Sequence, residues 1–210
     1  MEFDFERMSP TDCFTFLTST VVPRPIALIT TTSPTGACNA APYTFFSIAG
    51  IDPPVVTVTV LPTPDGQMKD TGRNILATGE FVVNLVSEDL AEAMNITCID
   101  APQDVDELLL AGLEAGPSIK VRPPRIVASP VSLECRIHSS VPLSPNQVLI
   151  VGRIVQAHVA DRFVISPREP LLDTPAFRLI GGMHGARWYT RTNDLFEMER
   201  PTWANWKVQR

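Results

Sequence analysis

Six consecutive β-branched residues, Val55-Val56-Thr57-Val58-Thr59-Val60, follow the turn signal Asp52-Pro53-Pro54. Two heavy atoms on each Cβ stiffen χ1, which disfavours a helix and suits a pleated, half-buried strand. The fold class then depends on how many more such segments the chain carries. Its 20 prolines, about twice average usage, punctuate short runs rich in Val, Ile, Thr and Phe, the texture of a barrel or sandwich. Residues 26–32 read as a strand, Ser33-Pro34-Thr35-Gly36 as a tight turn, and a hairpin partner is expected from about Ala37. Residues 80–86 read as another strand. Residues 131–141 and 147–159 form a long hairpin around Pro142-Leu143-Ser144-Pro145-Asn146, and residues 161–165 add a short strand.

Three helices are expected between these strands. Thr71 caps one over residues 72–78 that ends at Gly79. Ser87-Glu88-Asp89 starts a second that continues over 90–96, with the serine accepting from orphan N–H groups and the carboxylates at the positive end of the macrodipole. A third, again acidic first, covers 104–113. Strands outnumber helices and do not alternate with them regularly, which argues against a doubly wound parallel sheet and for a closed antiparallel barrel with inserted helices.

With 210 residues, one sizeable domain or two small ones are expected, and no internal repeat or low-complexity linker divides the chain. The tail from Pro167, richer in proline, arginine and aromatics, suits a segment lying along a barrel or a partner subunit. A 1–165 barrel domain with a 166–210 C-terminal extension is the expected division. Hydrophobic residues at 44% and charged residues at 19% match ordinary globular usage. The formal net charge of −6 makes a phosphate-coating basic surface, and hence nucleic-acid binding, a poor fit. The longest apolar runs fall far short of the roughly 20 residues of a membrane span, and the acidic Met-Glu-Phe-Asp-Phe-Glu-Arg start has no signal-peptide core, so a cytoplasmic location is expected. Cys13, Cys38, Cys98 and Cys135 are scattered without CxxC spacing, which suggests neither zinc nor a thioredoxin motif.

Three polar clusters interrupt the apolar strands. Arg24-Pro25 leads into Thr30-Thr31-Thr32, where alternate hydroxyls point to opposite faces of a strand; one face must place them inward or toward a ligand, unless these are edge-strand threonines. In residues 39–47, small residues let a planar ligand approach the backbone while Asn39 and Ser47 supply directional hydrogen bonds, although a bulged core strand would look the same. At Lys69-Asp70-Thr71-Gly72-Arg73-Asn74, N–H groups, two cations and a hydroxyl converge at a helix start, a recipe for holding phosphate or simply a solvated cap.

Taken in order, these segments resemble the flavin reductase-like proteins of the FMN-binding split-barrel class, which include flavoredoxin and the flavin-reductase components of two-component monooxygenases. The resemblance runs through Val22-Pro23-Arg24-Pro25-Ile26-Ala27-Leu28-Ile29-Thr30-Thr31, residues 36–47, Asp52-Pro53-Pro54, Lys69-Asp70-Thr71, Asn74-Ile75 and Glu80-Phe81-Val82-Val83-Asn84, with a weaker echo at Gly181-Gly182 and Tyr189. It implies a six-stranded antiparallel Greek-key barrel with inserted helices, a homodimer, and FMN at or near the subunit interface. By the same resemblance, Thr30, Thr31 and Thr32 line the flavin and its ribityl chain. Asn39, Ala41, Pro42 and Tyr43 approach the isoalloxazine edge, and Ser47, Lys69 and Thr71 hold phosphate, with Arg24 and Asn74 as second-rank contacts. NADH or NADPH is then a transient electron donor, and a monooxygenase is a natural recipient of reduced flavin.

The residues themselves agree with cofactor-borne chemistry, since no acid, base or metal set stands out and no G-x-G-x-x-G opens a Rossmann unit. His138 and His158 fall in strands and read as structural, which leaves His184, flanked by a glycine loop, as the one weak catalytic candidate. A chymotrypsin-like protease is disfavoured because no glycine-flanked nucleophilic serine appears. The remaining alternatives are an FMN-binding electron carrier without NAD(P)H oxidation, and a flavin-free β-barrel interaction module.

Overall fold

The computed structural model describes residues 1–103, 105–166, 168–203 and 206. It begins its regular structure with a helix that the β-rich pattern hides, α1 (Pro10–Thr20). The local signal is present: the Ser9 hydroxyl accepts from the Asp12 N–H at 3.1 Å, Pro10 occupies the first turn, and Asp12 faces the positive end of the dipole. Strands β1 (Arg24–Pro25), β2 (Ala27–Thr32), β3 (Cys38–Tyr43), β4 (Phe46–Ile51) and β5 (Pro54–Val60) follow. Then come α2 (Asp70–Thr78), β6 (Glu80–Leu85), α3 (Ala91–Ile96), α4 (Glu107–Leu110), and the short pair β7 (Ala115–Gly116) and β8 (Arg125–Ile126). The long hairpin is β9 (Val131–Ser144) and β10 (Gln147–Val159), and the chain ends with β11 (Val164–Ser166), β12 (Leu171–Leu172), β13 (Ile180–Gly182) and β14 (Tyr189–Arg191).

One antiparallel sheet runs β3-β2-β6-β9-β10-β5-β4. Its two outer strands are halves of a single run interrupted at Thr44–Phe45, where the Thr59 N–H donates to the Phe45 carbonyl at 2.9 Å. That run pairs with β2 at one end and β5 at the other, so the sheet closes on itself as a six-stranded barrel with one split wall. Strand β6 returns beside β2 after two hairpins, which is Greek-key order, and the fold is the expected split barrel.

Strand alternation fills the barrel. Val56, Val58 and Val60 meet Ala27, Ile29, Phe81, Val83, Val148 and Ile150 inside. Strand β2 is buried on its other face too, where Leu28 packs with Ile26, Val86, Leu90, Met94, Leu108 and Ile126. Ile180 of the tail joins this second cluster, and β13 pairs with β1. Glu134, fully buried on β9, accepts from the N–H groups of Ile119, Lys120 and Val121 at 2.7, 2.5 and 3.2 Å and lies 2.6 Å from His158 Nε2. His158 thus has a structural partner, and the 119–121 backbone is fastened to the sheet.

Several local expectations change. Thr71 does not cap α2; it is the second residue of the helix with its side chain buried, and Lys69 takes the extended cap position without a side-chain bond. The C-terminal end agrees, since Gly79 adopts the left-handed conformation (φ 74°) that a β-carbon would strain. Ser87 forms no side-chain cap, and Glu88 to Leu90 is a 3₁₀ turn ahead of α3, because the Glu88 and Asp89 carboxylates are taken by Arg178 and Arg191. The third helix is reduced to α4, capped by Asp106 on the N–H groups of Leu108 and Leu109; Asp104, where it was expected to start, lies outside the described residues. Residues 161–163 form a 3₁₀ turn, and the strand begins only at Val164.

Candidate functional site

The start of α2 is tied to the barrel by two parallel amide–hydroxyl bonds. Asn39 on β3 donates to Thr71 Oγ1 at 3.0 Å, and Asn74 on α2 donates to Thr31 Oγ1 on β2, also at 3.0 Å. All four side chains are buried, so each bond is made away from competing water and fixes α2 against the edge of the barrel. Above them opens a cleft of about 600 Å³, within the size range of small-molecule sites. Its walls are β3 (Asn39, Ala41, Pro42, Tyr43), the α2 entry (Lys69, Asp70, Thr71) and the segment from Thr97 to Gln103. An apolar groove formed by Phe14 and Leu17 of α1 with Phe45, Leu61 and Pro62 continues from it.

Two cations, Lys69 and Arg73, border the cleft, and each has a carboxylate partner. Asp70 pairs with Arg73, which also donates to the Met68 carbonyl, and this offsets the Asp70 charge at the helix entry. Lys69 Nζ stands 3.6 Å from Asp100, with a third of its side chain exposed. The buried Tyr43 hydroxyl faces Thr71 without a hydrogen bond of normal geometry, and burial pushes its pKa well above the usual phenol value. A polar atom left open in this way at the cleft floor fits a ligand that carries hydrogen-bonding oxygens.

Six of the expected contacts therefore converge: Asn39, Ala41, Pro42, Tyr43, Lys69 and Thr71. Asn74 borders an adjoining polar groove with Asn39 and Arg73, while Thr31 is held behind it. Thr30 points to the opposite face of β2, where its hydroxyl donates to the Pro124 carbonyl at 2.5 Å, and Thr32 sits at the strand end opposite Cys38. Ser47 is exposed on β4 across from Thr57, outside the cleft. Arg24 is buried and spends its donors on backbone carbonyls and Thr44. His184 is exposed and stacks on Trp188, with ring centroids 5.5 Å apart.

Two parts of the cleft carry no sequence signal of their own. Glu107 is buried, accepts the Ala40 N–H at 3.0 Å and holds the outer edge of β3; burial pushes its carboxyl above the ordinary range. From sequence it is only one more acidic residue at a helix start. The wall from Thr97 to Gln103 has no periodicity, and its Cys98 thiol is pushed up by burial against the opposing effect of Lys69.

Residues 18–174 match the family model described as the flavin reductase like domain. The chain belongs to that family. Among relatives of this flavin reductase-like protein, an uncharacterized protein of Deinococcus radiodurans is 37% identical over 211 aligned positions, covering 99% of this chain and 92% of its own length. The Bacillus subtilis protein YwrF is 33% identical, covering 95% and 98%. Nitrilotriacetate monooxygenase component B from Bacillus cereus superposes with a TM-score of 0.88 at 28% identity, covering 94% of this chain and 98% of that one. The 2-nitrobenzoate 2-nitroreductase NbaA from Pseudomonas fluorescens gives 0.88 at 30%, covering 97% and 98%. Flavoredoxin of Desulfovibrio vulgaris, at 17% identity over 97% and 98% of the two chains, shares the fold with a TM-score of 0.73.

Proposed function

We propose that this flavin reductase-like protein is an NAD(P)H-dependent FMN reductase that acts as a cytoplasmic homodimer. The observation that carries the reading is the two-ended cleft. One end offers the Thr71 hydroxyl and the helix entry; the other continues into a mainly apolar groove walled by Leu17, Phe45 and Pro62, with Lys69, Tyr43 and Phe14 at the junction of the two. FMN has the same polarity, with a dianionic phosphate at one end and a planar ring system at the other.

The residues fit that group. Lys69 and the free N–H groups at the start of α2 would hold the phosphate. Thr71 and Asn39 would meet the polyhydroxyl chain, and the small Ala41 and the flat Pro42 would let a ring lie against β3. A bound flavin supplies the capacity to accept hydride from a dihydronicotinamide, so the chain has to bind, orient and exclude water rather than move a proton. The donor's ring would share the groove from Phe14 to Pro62 with the flavin ring.

A relative named as a monooxygenase component supports a monooxygenase as recipient of the reduced flavin. Anaerobic titration tests the reading. NADH or NADPH should bleach the visible absorbance of the FMN-loaded protein stoichiometrically. Bound FMN that neither donor bleaches would leave an electron carrier, and failure to bind FMN would leave a flavin-free barrel.

A further inference from the structure

Arg24 is a buried cation that no carboxylate pairs with among the described residues, and burial alone lowers its pKa. Such a charge is expensive to keep, so its hydrogen bonds must accomplish something that an apolar residue would not. They go to three separate segments. Nη1 donates to the carbonyls of Thr18 and Val21 at 2.6 and 3.3 Å, at the C-terminal end of α1, where unsatisfied carbonyls and the negative end of the dipole favour a cation. Nε donates to Thr44 Oγ1 at 3.3 Å, in the break between β3 and β4. Nη2 donates to the Met183 carbonyl at 2.6 Å, 159 residues away in the tail.

Each of these segments borders the cleft or its groove. Helix α1 supplies Phe14 and Leu17, the β3–β4 run supplies Pro42, Tyr43 and Phe45, and the tail supplies Ala186. The tail piece is a closed loop in which the Met183 N–H donates to the Trp188 carbonyl at 2.8 Å and His184 stacks on Trp188. The approach is close. A β-carbon on Gly182 would lie 3.3 Å from Thr44 Cγ2 and 3.4 Å from Arg24 Nη2, which gives the Gly181-Gly182 pair a physical reason.

We infer that Arg24 is a positioning residue: its planar fork fixes α1, the β3–β4 break and the 183–188 loop relative to one another, and thereby builds the rim of the cleft with Ala186 at its edge. The inference rests on the FMN reading only for the ligand used in its test. Lysine, a point charge on a flexible stem, cannot reproduce the fork.

The test uses the full-length protein, Arg24→Lys, Ala186→Trp and the double variant, with tryptic cleavage after the exposed Arg187 and FMN affinity as readouts. Loss of one charge-assisted bond predicts cleavage about tenfold faster or more in Arg24→Lys, with FMN binding weakened to a similar degree. Ala186→Trp should weaken FMN by crowding the rim, and in the double variant that penalty should shrink because the loop is no longer held, a coupling that general destabilisation does not produce. Unchanged cleavage at Arg187, or strictly additive penalties, overturns the inference. If Arg24→Lys does not fold, Ala186→Trp decides alone: wild-type FMN affinity would remove the loop from the rim. A wild type that takes up no FMN would end the functional reading, and the clamp is then judged by cleavage at Arg187.

Discussion

Lys69 separates a phosphate-binding end from a mere helix entry. Of the two cations that border the cleft, Arg73 is held closely by Asp70, whereas the contact of Lys69 with Asp100 at 3.6 Å is long enough to be exchanged for a ligand. Lys69→Ala should weaken FMN by about 10-fold to 150-fold, the worth of one charge-assisted contact, and leave riboflavin nearly unaffected because it has no phosphate. Parallel titration of the two ligands checks this; equal losses would place Lys69 elsewhere. Glu134 makes a different kind of prediction. Burial pushes its carboxyl up, but the bonds from His158, Ile119 and Lys120 outweigh that and hold its pKa below the ordinary value. A depressed folded pKa means stability that is present above the unfolded value of about 4.3 and lost as pH falls through the lower folded one. Glu134→Gln should therefore cost about 1–3 kcal/mol near neutral pH, from backbone donors left poorly matched. The gap in melting temperature between the two proteins should begin to narrow below about pH 4 and close only below the depressed folded pKa, and a pH-independent gap would refute the assignment. At this scale the legible residues were those in ordered motifs, such as Asn39, Tyr43, Lys69 and Thr71. Glu107 and Cys98 were not, because their roles come from contacts across 67 residues in one case and from an irregular wall in the other.

Among the elements, the strands were the most readable. The alternation in β5 and the turn chemistry after β2 are local, and the barrel only had to accept them. Helix ends depended more on tertiary partners. Thr71 would cap α2 in an isolated peptide, but Asn39 offers its hydroxyl a buried bond and draws it inside the first turn. The acidic pair at 88 and 89 likewise serves Arg178 and Arg191 of the tail rather than the helix. Helix α1 had a legible capping signal in Ser9, Pro10 and Asp12, masked by the β-branched and aromatic residues that follow. One element-level constraint is steric. Strand β10 crosses the barrel floor at Gly152, where a β-carbon would come within 2.3 Å of Phe81 Cζ. Phe81 is fully buried and has no room to turn away. Gly152→Ala should destabilise the barrel by about 1–3 kcal/mol or more by overpacking, seen as a lower urea midpoint at unchanged slope. Phe81→Leu in the Gly152→Ala background should recover part of the loss, whereas a neutral Gly152→Ala would mean the floor is looser than this packing requires.

At the scale of the whole molecule, the proposed homodimer needs a surface, and the outer face of the barrel offers one. Val56, Val58, Val148 and Ile150 point inward, so alternation turns Thr57, Thr59, Leu149 and Val151 outward. Ser139 and Val141 extend that face across the β9–β10 register. All six are uncharged, in a chain where charged residues make up 19%, and depletion of charge is what distinguishes the centre of an interface from ordinary surface. A two-fold axis through this face would bring each residue near its own copy, so a single added charge acts twice. Sedimentation equilibrium at micromolar concentration should give twice the chain mass for the wild type and a large monomer fraction for Val151→Glu, with the circular dichroism spectrum unchanged because the side chain faces away from the core. The resemblance to split-barrel flavoproteins also implies FMN at or near the subunit interface. FMN affinity of Val151→Glu should then fall in step with the dimer fraction and recover as protein concentration rises. A monomeric wild type sinks the dimer, while a dissociated variant that binds FMN at full strength keeps the dimer and confines the flavin site to one chain.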